Sequence, residues 1–190
     1  MQIEDWVKIF QGGKPFYTLS DLARLSGHAI PSAKVLVHRL AKKGLLIPVR
    51  RELYANSFHP PTLEEQACAM YPPCYLSSET VLFKEGILDQ APFDLTLVTL
   101  NKSKRVKSAS GHWDFQHVKP ELFFSYQKSG QAFYATPEKA LSDYVYLKLQ
   151  RGERVELDEM NWEFLSKKKL RAILKKYPAT VWKKLETIVG

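Results

Sequence analysis

The chain of 190 residues carries 28 Lys and Arg against 20 Asp and Glu, a formal charge of +8, with a pI near 9.4 and 45% apolar residues. That is enough apolar material for the core of one larger domain or two small ones, and the charge points to an anionic partner. The amino-terminal residues are acidic and no apolar run approaches the roughly 20 residues a bilayer requires, so the expectation is a cytosolic protein with no membrane contact.

Taken in order, Glu4 to Phe10 reads as a first helix packed through Trp6, Val7 and Phe10 and ended by Gly12-Gly13. Phe16 and Tyr17 form a short extended run. From Leu19, the spacing of Leu22 and Ala23 predicts a second helix, broken at Ser26-Gly27. Pro31 or Ser32 opens a third, in which Ala33, Leu36, Val37 and Leu40 repeat at i, i+3, i+4, i+7 and bury one stripe. Its free face carries Lys34, Val35, His38 and Lys42, with Arg39 on the flank. Gly44 suits a left-handed cap, and residues 45–54 read as two extended runs around a charged tip at Arg50-Arg51.

Two helices, a Gly-containing turn and a basic hairpin are the parts of a winged helix-turn-helix. In that reading Lys34, Arg39, Lys42 and Lys43 neutralise phosphates or approach base edges of double-stranded DNA. Ser32 and His38 read bases, and Arg50 and Arg51 contact flanking backbone or minor groove. The charge distribution agrees: residues 1–58 hold nine Lys/Arg against four Asp/Glu, so +5 of the +8 lies there. The alternative is a helical pair packed on a hairpin that binds a protein or nothing, its lysines only a solvated surface.

Residues 56–61, Asn-Ser-Phe-His-Pro-Pro, lack periodicity and mark a linker, dividing the chain into 1–58 and 59–190. Beyond it, Thr62 caps a helix to Met70, and Ser77-Ser78-Glu79 caps another ended by Gly86. Cys68 and Cys74 have no Cys or His partners at zinc spacing and read as reduced, buried thiols. Strands are expected at Leu95–Leu100, Arg105–Ser108, Phe115–Val118, Leu122–Tyr126 and Gln131–Ala135. Thr136-Pro137-Glu138 then supplies N-cap, N1 proline and first-turn acid for a long, nearly all-round apolar helix, with Glu138 and Asp143 as surface charges. Helices at 162–165, 167–177 and 179–189 complete an α+β fold: a winged helix-turn-helix, then a small mixed α/β domain with an antiparallel sheet and carboxy-terminal helices.

Over nearly its whole length the chain resembles the AbiEi-like antitoxins of type IV toxin-antitoxin systems. The residues that carry the resemblance are LSGHAIPSAKVLVHRLAKKGLLIPVRRELYA, then YLSSETVLFKEGILDQ, the basic NKSKRVK and the helix opener ATPEKALSDYVYL. The pairing of the second and last segments at this separation is the more specific signal. The resemblance implies an autoregulatory repressor that binds repeats in its own promoter and counters a nucleotidyltransferase-like toxin. The chain is shorter than the longer members, so an extra carboxy-terminal antitoxin surface is expected to be reduced.

Lys102, Lys104, Arg105 and Lys107 form a second basic patch, read either as a nucleic-acid or partner contact or as a solvated sheet edge protected by charge. Lys167, Lys168, Lys169 and Arg171 with Lys175 and Lys176 make another. An enzyme is the competing class. A metal-dependent nuclease needs clustered carboxylates followed closely by Lys, and no Asp/Glu-x-Lys triplet occurs. His112 and His117, five residues apart on a strand, fall on opposite faces and do not converge with Asp114. The expectation is therefore a protein without catalytic residues, metal or cofactor; a protein-interaction module or a nucleic-acid-processing accessory protein are the other readings.

Overall fold

A computed structural model describes residues 2–107 and 111–189. The chain forms two compact units, Met1–Gln66 and Ala67–Gly190. The residues 56–61 expected as a linker belong to the first.

In the first unit, α1 (Ile3–Gln11) buries Trp6 and Phe10, whose rings meet at 5.5 Å, and Tyr17 closes edge-on against Phe10 at 5.2 Å. β1 (Phe16–Thr18) leads into α2 (Leu19–Ser26). Thr18 Oγ1 accepts the Asp21 N–H at 3.1 Å and Asp21 returns the bond to the Thr18 N–H at 2.9 Å, a reciprocal cap that fixes where α2 starts. Gly27, at φ +68°, ends it in the left-handed conformation that a Cβ resists. α3 (Ile30–Lys42) starts earlier than either Pro31 or Ser32, from Ala29, with Pro31 in its first turn and no side-chain cap. Leu22, Ala33, Val37, Leu40 and Leu46 fill the space between α2, α3 and the sheet, each large side chain contributing about 1.5–3 kcal/mol of transfer free energy.

β2 (Leu46–Arg50) and β3 (Leu53–Asn56) form an antiparallel hairpin, and β1 adds to the other side of β3, giving the order β1-β3-β2. Asn56, read from sequence as part of the linker, is instead fully buried at the end of β3. Its Nδ2 donates to the Phe10 and Lys14 carbonyls at 2.8 and 3.1 Å, while its Oδ1 accepts the Phe58 N–H at 3.0 Å. A polar side chain satisfied on three sides latches α1 to the sheet, and no periodicity in the sequence signals it.

The second unit surrounds a six-stranded sheet in the order β6-β7-β5-β4-β9-β8. Its strands are β4 (Cys74–Leu76), β5 (Leu95–Thr99), β6 (Lys104–Lys107), β7 (His112–His117), β8 (Tyr126–Ser129) and β9 (Ala132–Ala135). The antiparallel sheet expected here is in fact mixed: β5 pairs with β7, and β4 with β9, in parallel. The chain leaves β5, places β6 one position away at the edge, and returns through β7 into the gap. Strand spacing cannot reveal that skip. β4, three residues long and wholly buried, shows no alternating pattern. The strand expected at Leu122–Tyr126 is a 3-10 turn at Pro120–Leu122 followed by irregular backbone, because Pro120 sets the turn and Ser125 adopts φ +56°. The Ser108 end of the strand expected at Arg105–Ser108 lies outside the described residues.

Helices α4 (Leu63–Met70), α5 (Ser78–Lys84), α6 (Pro137–Gln150), α7 (Lys167–Leu174) and α8 (Ala179–Val189) complete the chain, with residues 162–164 a single 3-10 turn. Cys68 and Cys74 are buried and in no disulfide among the described residues. Thr136 caps α6 as expected, its Oγ1 accepting the Lys139 N–H.

Glu138 and Asp143, expected at the surface, are buried. Asp143 pairs with Lys139 one turn earlier, and both side chains are wholly shielded from solvent. The carboxylate also accepts the Tyr177 hydroxyl at 2.5 Å, the Ser77 hydroxyl at 2.6 Å and the Tyr75 hydroxyl at 3.2 Å. Ser77, expected to cap α5, makes no cap bond and is spent here. Burial lowers the pKa of Lys139 while Asp143 opposes the shift; burial, then the same carboxylate, raises those of Tyr75 and Tyr177.

Asp143→Ala is expected to leave Lys139 as an unpaired buried cation and to destabilise the chain by about 3–5 kcal/mol in urea titrations. The double change Lys139→Met with Asp143→Leu is expected to recover much of that loss.

Candidate nucleic-acid interface

The exposed side of α3 presents Ser32, Lys34, Val35, His38, Arg39 and Lys42, and Lys43 follows at its carboxy-terminal cap. Arg39, Lys42 and Lys43 sit where the helix dipole favours cations, so helix stability alone accounts for their sign. Lys34, in the first half of the helix, has no such account. Val35 is 64% exposed on the same face and Ile47 of β2 is 50% exposed.

A groove of about 540 Å³ runs between α3 and the hairpin, lined by Lys34, His38, Arg50 and Arg51 together with Pro48, Glu52 and Tyr54. The fold thus brings together four of the eight side chains selected from sequence. Ser32, Arg39, Lys42 and Lys43 do not line the groove. Pro48 and Tyr54, expected only as strand residues, do.

Three local features place the arginines. Pro48 lies on β2 at the sheet edge, where no partner strand needs its missing N–H. The pairing with β3 slips between Pro48 and Arg50, a bulge that turns the end of the strand. Glu52 adopts φ +60°, uncommon for a residue with a Cβ, and its carbonyl accepts the Leu19 N–H at 3.0 Å. The hairpin tip is thereby tied to the start of α2, whose position depends on the Thr18–Asp21 cap. Lys14 reinforces that cap with an ion pair to Asp21 at 2.9 Å. Partial burial pushes the Asp21 carboxyl up, but the bonds from Thr18 and Lys14 outweigh it and bring its pKa from 3.8 to about 2.

The second basic patch is built differently. Lys102, Lys104, Arg105 and Lys107 are exposed, the last three on β6, the edge strand of the second sheet. Arg105 Nε lies 3.4 Å from Asp114, which also faces Arg151 at 3.8 Å, and Asp114 raises the pKa of Arg105 further. Lys104 stands over the Tyr71 ring at 5.2 Å, and the Tyr71 hydroxyl donates to the Lys102 carbonyl at 3.3 Å. Within the patch, the Arg105 and Lys104 side chains thus have partners on neighbouring elements. His112 faces Asp94 at 3.5 Å and His117 Nδ1 the Asn101 carbonyl at 3.1 Å, so the two imidazoles have separate partners. No helix among the described residues is long and apolar enough to cross a membrane.

These features define an α+β protein of two units, the first with a basic groove. No family model and no curated protein sequence matches the chain. Among solved structures it is similar to the crystal structure of the RV2827C protein from Mycobacterium tuberculosis, with a TM-score of 0.58 and 14% identity over 97% of this chain and 74% of that one. At that identity the likeness is one of fold.

The lowered Asp21 pKa ties the cap that supports the groove to pH. A carboxyl depressed on folding stabilises the native state in full above its unfolded pKa of 3.8, and the contribution fades as pH falls toward about 2. Asp21→Ala is expected to cost on the order of 1 kcal/mol at neutral pH, screening included, and to flatten the acid limb of stability between about pH 4 and 2 in thermal melts.

Proposed function

We propose that the chain is a DNA-binding transcriptional regulator whose first unit is a winged helix-turn-helix, with α3 as recognition helix and the β2–β3 hairpin as wing. The observation that carries this reading is the groove in which Lys34 and His38 of α3 stand opposite Arg50 and Arg51 of the hairpin tip. A major groove about 12 Å wide admits one helix, and cations on that helix and an adjacent hairpin reach bases and flanking phosphates together. Val35, apolar and exposed, suits contact with a thymine methyl group. Lys42 and Lys43 at the end of α3 extend the phosphate contacts along the backbone.

The more specific reading is an autorepressing, antitoxin-like regulator that binds promoter repeats and counters a nucleotidyltransferase-like toxin without catalysis of its own. Its support is the sequence resemblance. The two segments that carry the resemblance most specifically are neighbours in the fold: Ser77 of YLSSETVLFKEGILDQ donates its hydroxyl to Asp143 of ATPEKALSDYVYL.

Gel shifts with the DNA upstream of the chain's own gene, against random competitor at moderate salt, test the regulator. Preference for the upstream DNA is expected, and its absence would remove autoregulation. Arg50→Ala with Arg51→Ala is expected to weaken binding and to reduce the slope of log affinity against log salt by about 1–2. An unchanged salt titration would take the hairpin out of the interface.

A further inference from the structure

In the second unit a cavity of about 680 Å³ lies between the end of α5, the β8–β9 hairpin and the first turns of α6 and α7. Lys84, Lys128 and Lys169 line it, one each from α5, β8 and α7. Lysines 44 and 41 residues apart in sequence are brought to one cavity by the tertiary fold, unlike a run of lysines along one solvated face. Lys84 is held over the Tyr134 ring at 3.7 Å, and Lys128 and Lys169 are in no ion pair among the described residues.

The placement of Lys169 is electrostatically costly. With Lys167 and Lys168 it occupies the first turn of α7, where backbone N–H groups already concentrate positive charge, the helix's own first turn holds no acidic residue, and the one carboxylate at the cap is Glu138, which accepts the Ser166 N–H. Nothing in the stability of that helix calls for three cations, whereas an arriving anion would be attracted by all of them. Of the carboxylates that share the cavity, Glu138 is spent as an acceptor for the Ser166 N–H at 3.0 Å. Glu85 and Glu163 are exposed, as are Lys84, Lys128 and Lys169, so solvent and salt screen both signs alike and the site's selectivity for an anion rests on where the lysines converge. Phe164 lies at the mouth, 57% exposed, its ring edge 3.7 Å from where a Cβ on Gly86 would stand. More than half of Phe164 is open to a planar partner.

We propose that this cavity binds a nucleotide, its phosphates held by Lys84, Lys128 and Lys169 and its base laid against Phe164. The volume falls in the range of small-ligand sites, and charge and an aromatic surface stand together as a nucleoside phosphate requires. The proposal does not depend on the DNA-binding reading, since all of its residues belong to the second unit.

Isothermal titration of the full chain with ATP, tripolyphosphate and adenosine, at matched ionic strength, tests it. Saturable binding of ATP is expected, with tripolyphosphate weaker and adenosine weaker still. The triple variant Lys84→Gln, Lys128→Gln, Lys169→Gln is expected to raise the ATP Kd at least tenfold with unchanged circular dichroism and melting. Phe164→Ala is expected to weaken ATP and leave tripolyphosphate unaffected. Absence of binding at millimolar ATP, or binding that survives the triple change, would overturn the proposal. So would binding abolished by Arg50→Ala with Arg51→Ala, since that would put the nucleotide on the first unit.

Discussion

One carboxylate governs the second unit. Asp143, wholly buried, receives the Lys139 ammonium from its own helix, the Tyr75 and Ser77 hydroxyls from the region of β4, and the Tyr177 hydroxyl from beyond α7. Removing an ion pair from water is costly, and the attraction between the partners offsets that cost only where the remaining lone pairs and protons are satisfied. Here they are, for Lys139 also donates to the Tyr177 hydroxyl at 2.5 Å and lies within 5.0–5.5 Å of the rings of Phe124, Tyr177 and Tyr75. The cluster fixes the rotation of α6, and with it the direction in which Thr136 and Glu138 face.

The first unit reaches a comparable precision with less burial of charge. Its apolar stripe sets the packing of α2 against α3, but the hairpin is placed by hydrogen bonds: the Thr18–Asp21 cap, the Leu19 bond to Glu52 and the Asn56 latch. Because the arginines follow a bulge and precede a left-handed residue, their direction is set by backbone geometry. The basic groove is a product of that geometry as much as of composition.

The sequence was most legible where structure is local. α2 and α3 follow from apolar spacing and Gly27, α6 from Thr136-Pro137, and the exposed cations of α3 from the face opposite Leu40 and Val37. What escaped was non-local. Asn56 and Ser77 stood where a linker and a cap are ordinarily found, and only distant partners give them other roles. Asp143 in a helix reads as surface until Tyr75 and Tyr177, 68 and 34 residues away, are brought to it. Likewise the cavity at Lys84, Lys128 and Lys169 has no signature in any one segment. The parallel pairings were hidden because sheet order is not written in strand propensity.

The carboxylate cluster also bears on how the chain emerges from the ribosome. Tyr177 is its last contributor, so a nascent chain that has displayed every strand of the second sheet still lacks one donor to Asp143. Until the segment after α7 clears the exit tunnel, Lys139 and Asp143 are better solvated than packed, and α6 has little reason to settle into its final seat. Completion of the second unit is thereby deferred until that segment has emerged.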